Sequence, residues 1–365
     1  MSAALIDLVS VGAQDVFITG DPEVSFFRQN YKRHTNFSMK PERMDYIGTF
    51  AANNEITIPI RSKGDLMSYI WIEATNIASV QNNTAGLFSQ NASNPTEFSL
   101  YIGGQKVSQL DSLFIQGVHN PLLRDSAAKA SYAVTTNNKK ANHGGDHYII
   151  PFFFGEDYTK SLPLVALQYH DVEIRIKCRD GFTPGSTPKV WGNYVYLDTD
   201  ERKFFTDNEH ELLFTQTQYQ LATNTDSEID LTFFNHPVKS IHLVSGKATG
   251  NDWDSEYTFS SSTLYINGTP LFEDTSPVYH HTVVPEMHSS DLPDDILEDL
   301  PTFTWPFCLG LSKSNPTGTL NFSRIDNAKL SISGPSGGNA LHRVYAVNYN
   351  ILRVKQGMGG VAFGN

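Results

Sequence analysis

Glu55-Ile-Thr-Ile-Pro-Ile60 puts Ile56, Ile58 and Ile60 on one side of an extended chain. The same period of two recurs at Ile70 and Ile72, and at Ile229, Leu231 and Phe233. It predicts short strands, each with one buried face and separated by turn residues. Leu100-Tyr-Ile-Gly-Gly-Gln-Lys-Val107 reads as strand, two-residue turn, strand, which is a hairpin. A helical period is confined to 108–134, where Leu110, Leu113, Phe114 and Val118 share a face and Ser108 and Asp111 have capping-box spacing. Pro121 limits that stretch to short pieces. A second short helix is expected over 291–300, and loops over 135–147, 179–189, 245–262 and 333–340.

The pattern is written twice. Leu100–Val107 is echoed by Leu264-Tyr-Ile-Asn-Gly-Thr-Pro-Leu271, and Pro151-Phe-Phe-Phe154 by Pro306-Phe-Cys-Leu309. Asp171-Val-Glu-Ile-Arg-Ile176 is echoed by Asn327-Ala-Lys-Leu-Ser-Ile332, and Val190–Tyr196 loosely by Val344–Asn350. The four pairs keep their order and lie 154 to 164 residues apart. This predicts an all-β chain of two consecutive eight-stranded antiparallel sandwiches, joined near 198–211, with short helices in the loops.

Composition fits that reading. Aromatic residues make up 12% of the 365 positions and charged residues only 18%, which favours packed strands over disorder. No run approaches the length of a membrane-spanning helix. The net charge of −12 argues against a surface built to wrap nucleic acid, so no direct nucleic-acid binding is expected. The two cysteines, Cys178 and Cys308, sit in apolar-alternating contexts and read as buried free thiols.

Candidate chemistry is sparse. His280, His281, Glu286 and His288 fall within nine residues, but their spacing matches no common zinc pattern and Pro277 and Pro285 are expected to break an aligning helix. Asp291, Asp294, Asp295, Glu298 and Asp299 read as an acidic, exposed helix face, and His143 and His147 as part of a solvated loop. His170 and Asp171 are expected on a strand, where they point to opposite faces. No nucleophile elbow, phosphate loop or dinucleotide fingerprint occurs. No catalytic residue, metal site or cofactor is therefore assigned. Trp71, Trp191 and Trp305 read as core, leaving Trp253 as the one loop tryptophan suited to stacking on a sugar.

The stretch from Gly12 to Phe37 has no apolar run of the kind that marks a targeting peptide, and reads as an arm that docks on something. With Leu162-Pro-Leu-Val-Ala-Leu-Gln-Tyr-His-Asp171, Asn321-Phe-Ser-Arg-Ile-Asp-Asn327, and Asn348–Arg353 followed by Gly357-Met-Gly-Gly360, it resembles the major capsid proteins of the large icosahedral double-stranded DNA viruses of the algal-virus, iridovirus and giant-virus group. The four blocks come in the family's order and span residues 12 to 360.

The resemblance implies a double jelly roll and homotrimeric, pseudo-hexagonal capsomers. It also implies contacts with neighbouring capsomers and minor capsid proteins, an inner viral membrane beneath the shell, and assembly in the host-cell cytoplasm. The expected division is an arm (1–25), a first jelly roll (26–208), a second (209–357) and a tail (358–365). Phe26, Phe27, Arg28, Tyr31, Lys32 and Arg33 are the candidate assembly residues. Two readings are open for the aromatic ones: anchors of a docking arm, or the first core residues of the first domain. Three alternatives stand beside the capsid subunit: a minor capsid paralogue, a carbohydrate- or receptor-binding sandwich, and a cupin-like enzyme.

Overall fold

The computed structural model describes residues 10–74, 86–87, 93–124, 147–245, 257–289, 302–337 and 341–364. The chain divides into two units, Met1–Asn36 and Phe37–Asn365. Within the first, the only regular element among the described residues is a single helical turn, Val16–Thr19.

The second unit is almost entirely strand. Its first half contains β1 (Phe37–Met44), β2 (Glu55–Ile60), β3 (Leu66–Glu73), β4 (Glu97–Ile102), β5 (Gln105–Asp111), β6 (His147–Ile150), β7 (Leu162–Pro163), β8 (Val172–Lys177) and β9 (Lys189–Leu197). Its second half contains β10 (His210–Thr223), β11 (Glu228–Asp230), β12 (Pro237–Ser245), β13 (Ser261–Ile266), β14 (Thr269–Thr275), β15 (Thr302–Pro306), β16 (Leu320–Asn321), β17 (Ala328–Ser333), β18 (Leu341–Lys355) and β19 (Met358–Val361). The helix Thr199–Asp207 joins the halves, its first turn capped by the Asp198 carboxylate, which accepts from the Glu201 N–H.

The two halves repeat strand for strand. The sheets of the first run β1-β9-β3-β6 and β2-β8-β4-β5, and those of the second run β10-β18-β12-β15 and β11-β17-β13-β14. Adding nine to each label of the first pair gives the second pair. Even the two-residue strands correspond, since β7 pairs with β3 and β16 with β12. This order is that of a jelly roll, and all four sequence echoes fall on equivalent strands or corners. Both hairpins also use the same turn. Gly103 and Gly104, like Asn267 and Gly268, have positive φ at both central positions, the type I′ geometry that matches strand twist.

Alternation sets the cores. Ile56, Ile58, Ile60, Ile70 and Ile72 are buried in the first jelly roll, and Ile229, Leu231, Leu264, Leu330 and Trp305 in the second. The long β18 is buried on both faces. Val344 and Ala346 join the second core, while Tyr345 and Val347 pack with the first domain. A strand covered on both sides reads as a nearly continuous apolar run, as this one does. Cys178 and Cys308 are buried free thiols, and desolvation pushes the Cys178 thiol up to about 12.

Several expectations are corrected. Among the described residues, the stretch expected as helix from residue 108 is strand through Asp111 and helical over 112–123, as Ser112–Phe114 and then a wider π-helical segment, Ile115–Leu123; the rest of it, from 125 to 134, lies outside them. Asp111, not Ser108, caps it, accepting from the Phe114 N–H at 2.8 Å. Residues 279–288 are helical despite Pro285, which stands just after the junction of the π-helical segment Tyr279–Val283 with the α-helical turn Val284–His288. Leu231 is buried but Phe233 is exposed. The Asp230 carboxylate accepts from the Thr232 N–H and turns the chain, so Phe234 enters the core instead. Residues 358–361, expected as a tail, form β19 beside β18. The expected helix at 291–300, most of the 135–147 loop and Trp253 lie outside the described residues.

Candidate assembly surfaces

The seam between the jelly rolls determines whether they act as one body. Asp111, at the end of β5, receives Arg343 Nη1 at 3.0 Å and the Tyr345 hydroxyl at 2.7 Å, both from β18. Gln216 donates to the Val107 carbonyl at 2.7 Å, and Thr302 to that of Gly117 at 3.0 Å. Phe153 and Phe214 pack with ring centroids 4.8 Å apart. Two of the sequence blocks also meet here: Tyr169 N–H donates to Gly357 O at 2.9 Å, and His170 Nδ1 lies 2.8 Å from Gly359 O. His170 and Asp171 precede β8 and are not on it, and His170 serves the β19 backbone. The result is one brick with two similar halves.

Three surfaces of this brick and its leader are exposed. The first is the N-terminal unit, where Phe17, Phe26, Phe27 and Tyr31 are all exposed, Phe27 at 99%. None of them belongs to a core cluster. Arg28, Lys32 and Arg33 are exposed among them. An apolar and basic strip of this kind suits a partner that is itself apolar and acidic.

The second is β1, the edge of its sheet. Its pattern is exposed throughout its first half and carries Lys40, Pro41, Glu42 and Arg43, with an ion pair between Lys40 and Glu42. Charge and proline on an edge discourage uncontrolled strand pairing.

The third is the outer face of β3 and β9. Trp71 and Trp191 were expected in the core, but they stack on one another with centroids 6.0 Å apart and planes 10° from parallel, half-buried, with Tyr69 beside them. Because Ile70 and Ile72 point inward, Trp71 must point outward. Trp191 Nε1 donates to Glu73 at 3.1 Å. Trp305 alone of the three is core.

The histidines of the expected cluster are engaged in packing. His280 Nδ1 lies 3.0 Å from Thr304 O and its Nε2 2.6 Å from the Thr275 hydroxyl, while His288 Nδ1 lies 3.0 Å from Cys308 O. Desolvation lowers His280 to about 4, so it is a neutral core residue at physiological pH. The acidic cluster at 291–299 lies outside the described residues.

Two tandem jelly rolls of identical strand order, fused through a buried seam, define a double jelly-roll protein. Residues 25–198 match the family described as major capsid protein N-terminus, and residues 201–360 that described as large eukaryotic DNA virus major capsid protein. The chain is 33% identical to the major capsid protein of Pyramimonas orientalis virus and 27% identical to that of Paramecium bursaria Chlorella virus 1, in both cases over the whole of both chains. Among solved structures, the PBCV-1 capsid is similar with a TM-score of 0.77 at 23% identity, covering 93% of this chain and 100% of that one. The Faustovirus major capsid protein gives 0.66 at 10% identity, covering 95% of each. The chain belongs to the major capsid protein family of large eukaryotic DNA viruses. Its role is structural, and its place is the virion capsid.

Proposed function

We propose that three copies of this chain close into a ring, each contributing two similar jelly rolls, so that the capsomer presents six similar wedges and tiles as a pseudo-hexagon. The carrying observation is the strand-for-strand repeat within one body: two matching halves are what a trimer needs to imitate six-fold symmetry. The division into an arm (1–25), a first jelly roll (26–208) and a second beginning at 209 puts the joining helix Thr199–Asp207 at the boundary.

In this reading Phe26, Phe27 and Tyr31 dock on neighbouring capsomers or minor capsid proteins, with Arg28, Lys32 and Arg33 meeting acidic partners. Assembly takes place in the host cytoplasm above an inner viral membrane. The chain performs no catalysis, and its net charge of −12 leaves genome contact to other proteins. The minor-paralogue and sugar-binding alternatives are not favoured, since the relatives at 33% and 27% identity, matched over their full length, are major capsid proteins.

The test is the solution mass by light scattering after size exclusion. A stable particle of about 122 kDa, three times 40.7 kDa, is expected. A 40.7 kDa monomer at high concentration overturns the trimer.

A further inference from the structure

A cavity of about 280 Å³ opens at the seam, lined from the first jelly roll by Arg124, Glu156 and Lys160 and from the second by Lys239, Ser312 and Ser314. Its electrostatics are lopsided. Four cationic residues, Arg124, Lys160, Lys239 and Lys313, line it with one carboxylate, and that carboxylate is already 3.0 Å from Lys160 Nζ.

Lys239 is the unusual member. It is only 4% exposed, yet among the described residues no carboxylate pairs with it. Its Nζ, with three N–H donors, reaches one oxygen, Lys313 O at 3.2 Å, and lies 6.0 Å from the Tyr349 ring centroid. Lys160 is 8% exposed, and among the described residues its ammonium reaches, beyond Glu156, only Ser314 O, at 3.5 Å. Burying an ammonium without a counter-charge is costly, and desolvation accordingly lowers Lys239 from its ordinary value. A bound anion would supply the missing charge and acceptors together.

We propose that this cavity is a binding site for a small phosphate-type oxyanion, held between Lys160 of the first jelly roll and Lys239 of the second. Several acceptor oxygens suit the ammonium and hydroxyl donors that line it. The volume lies at the lower end for ligand sites and fits a free phosphate or a small phosphomonoester, not a polymer. Because its donors come from both domains, the anion acts as a clamp that stabilises the seam by mass action.

The experiment is calorimetric titration of the purified full-length protein with inorganic phosphate and, separately, with glycerol phosphate. It is done in chloride buffer at constant ionic strength and paired with thermal unfolding. Saturable binding of phosphate with a rising Tm is expected, and tighter binding of glycerol phosphate would identify a phosphomonoester as the better ligand. Lys239→Met should weaken affinity at least tenfold. Glu156→Gln removes the competing carboxylate and should tighten it several-fold, a readout that holds even where the lysine variant folds poorly. The absence of saturable heat with either anion overturns the proposal and leaves a water-filled cavity. So does a Tm rise that Lys239→Met retains in full, which is the general effect of an excluded salt.

Discussion

Asp111 Oδ2 lies 3.0 Å from Arg343 Nη1, and both side chains are about 95% or more removed from solvent. Burial pushes the Asp111 carboxyl up, opposed by Arg343, the Phe114 N–H and the Tyr345 hydroxyl. Burial by itself would pull Arg343 down, but Tyr345 and Asp111 carry it above its usual value. Three donors, the Arg343 guanidinium, the Tyr345 hydroxyl and the Phe114 N–H, converge on this one carboxylate. The guanidinium also lies over the Tyr219 ring, 4.3 Å from its centroid. Arg343→Met leaves a buried carboxylate without its counter-charge and should cost about 3–5 kcal/mol in urea unfolding. The Asp111→Asn/Arg343→Met double variant should lose less than the sum of the two single variants. A loss below about 1 kcal/mol in Arg343→Met would show that the pair does not hold the seam.

Acid should loosen the second jelly roll through its buried histidines. Desolvation holds His242 at about 3 and His280 and His342 at about 4. An unfolded histidine titrates near 6.5, so below that pH the unfolded chain binds more protons than the native one. The stability these residues confer is therefore fully present above about pH 6.5 and is lost as pH falls from there toward 4. His342 is the clearest case. Among the described residues neither ring nitrogen has a hydrogen-bond partner, and the ring centroid lies 4.2 Å from that of Tyr257. His342→Phe keeps a ring and removes the titration. Between pH 7 and 4.5 it should lose about 2–3 kcal/mol less than the parent protein. Equal pH slopes for the two proteins in urea unfolding would contradict this.

What the sequence made legible was periodic or repeated. Ile56, Ile58 and Ile60 needed only the period of two, and the paired hairpins at Gly103-Gly104 and Asn267-Gly268 announced the duplication. What it hid depended on single turns and distant partners. The Asp230–Thr232 turn exchanged Phe233 for Phe234, a change that simple alternation cannot register. Trp71 was assigned to the core from its strand-like context, although its own neighbours Ile70 and Ile72 had already fixed it on the outer face. The Asp111–Arg343 contact joins residues 232 positions apart, and no local pattern marks either one. The candidate arm was visible as an aromatic and basic block, but no local pattern separates a docking anchor from a first core residue.

Docking of β19 depends on the absence of a side chain. A Cβ on Gly359 would lie 2.6 Å from Leu167 Cδ2 and 3.2 Å from Ile102 Cγ2. Gly359→Val should therefore destabilise the protein by about 1–3 kcal/mol, since neither neighbour has room to retreat without disturbing the first core. Gly364→Ala, at a position with nothing within 4 Å, should be neutral to within about 0.5 kcal/mol. Urea midpoints of the two variants measure the contrast. If Gly359→Val is also neutral, β19 does not hold the domains together.

Replacing Phe26, Phe27 and Tyr31 together with serine separates docking from folding. Their side chains are exposed in the single chain, so the triple variant should keep its Tm within about 2 °C. Anchoring aromatics typically carry about 2 kcal/mol or more of an interface, which is roughly thirty-fold in affinity. Association of capsomers, followed by light scattering under conditions where the parent protein grows into larger particles, should then fail or need a much higher concentration. A large fall in Tm would return these residues to the core of the first domain. Undiminished particle growth would show that the arm is not what joins one capsomer to the next.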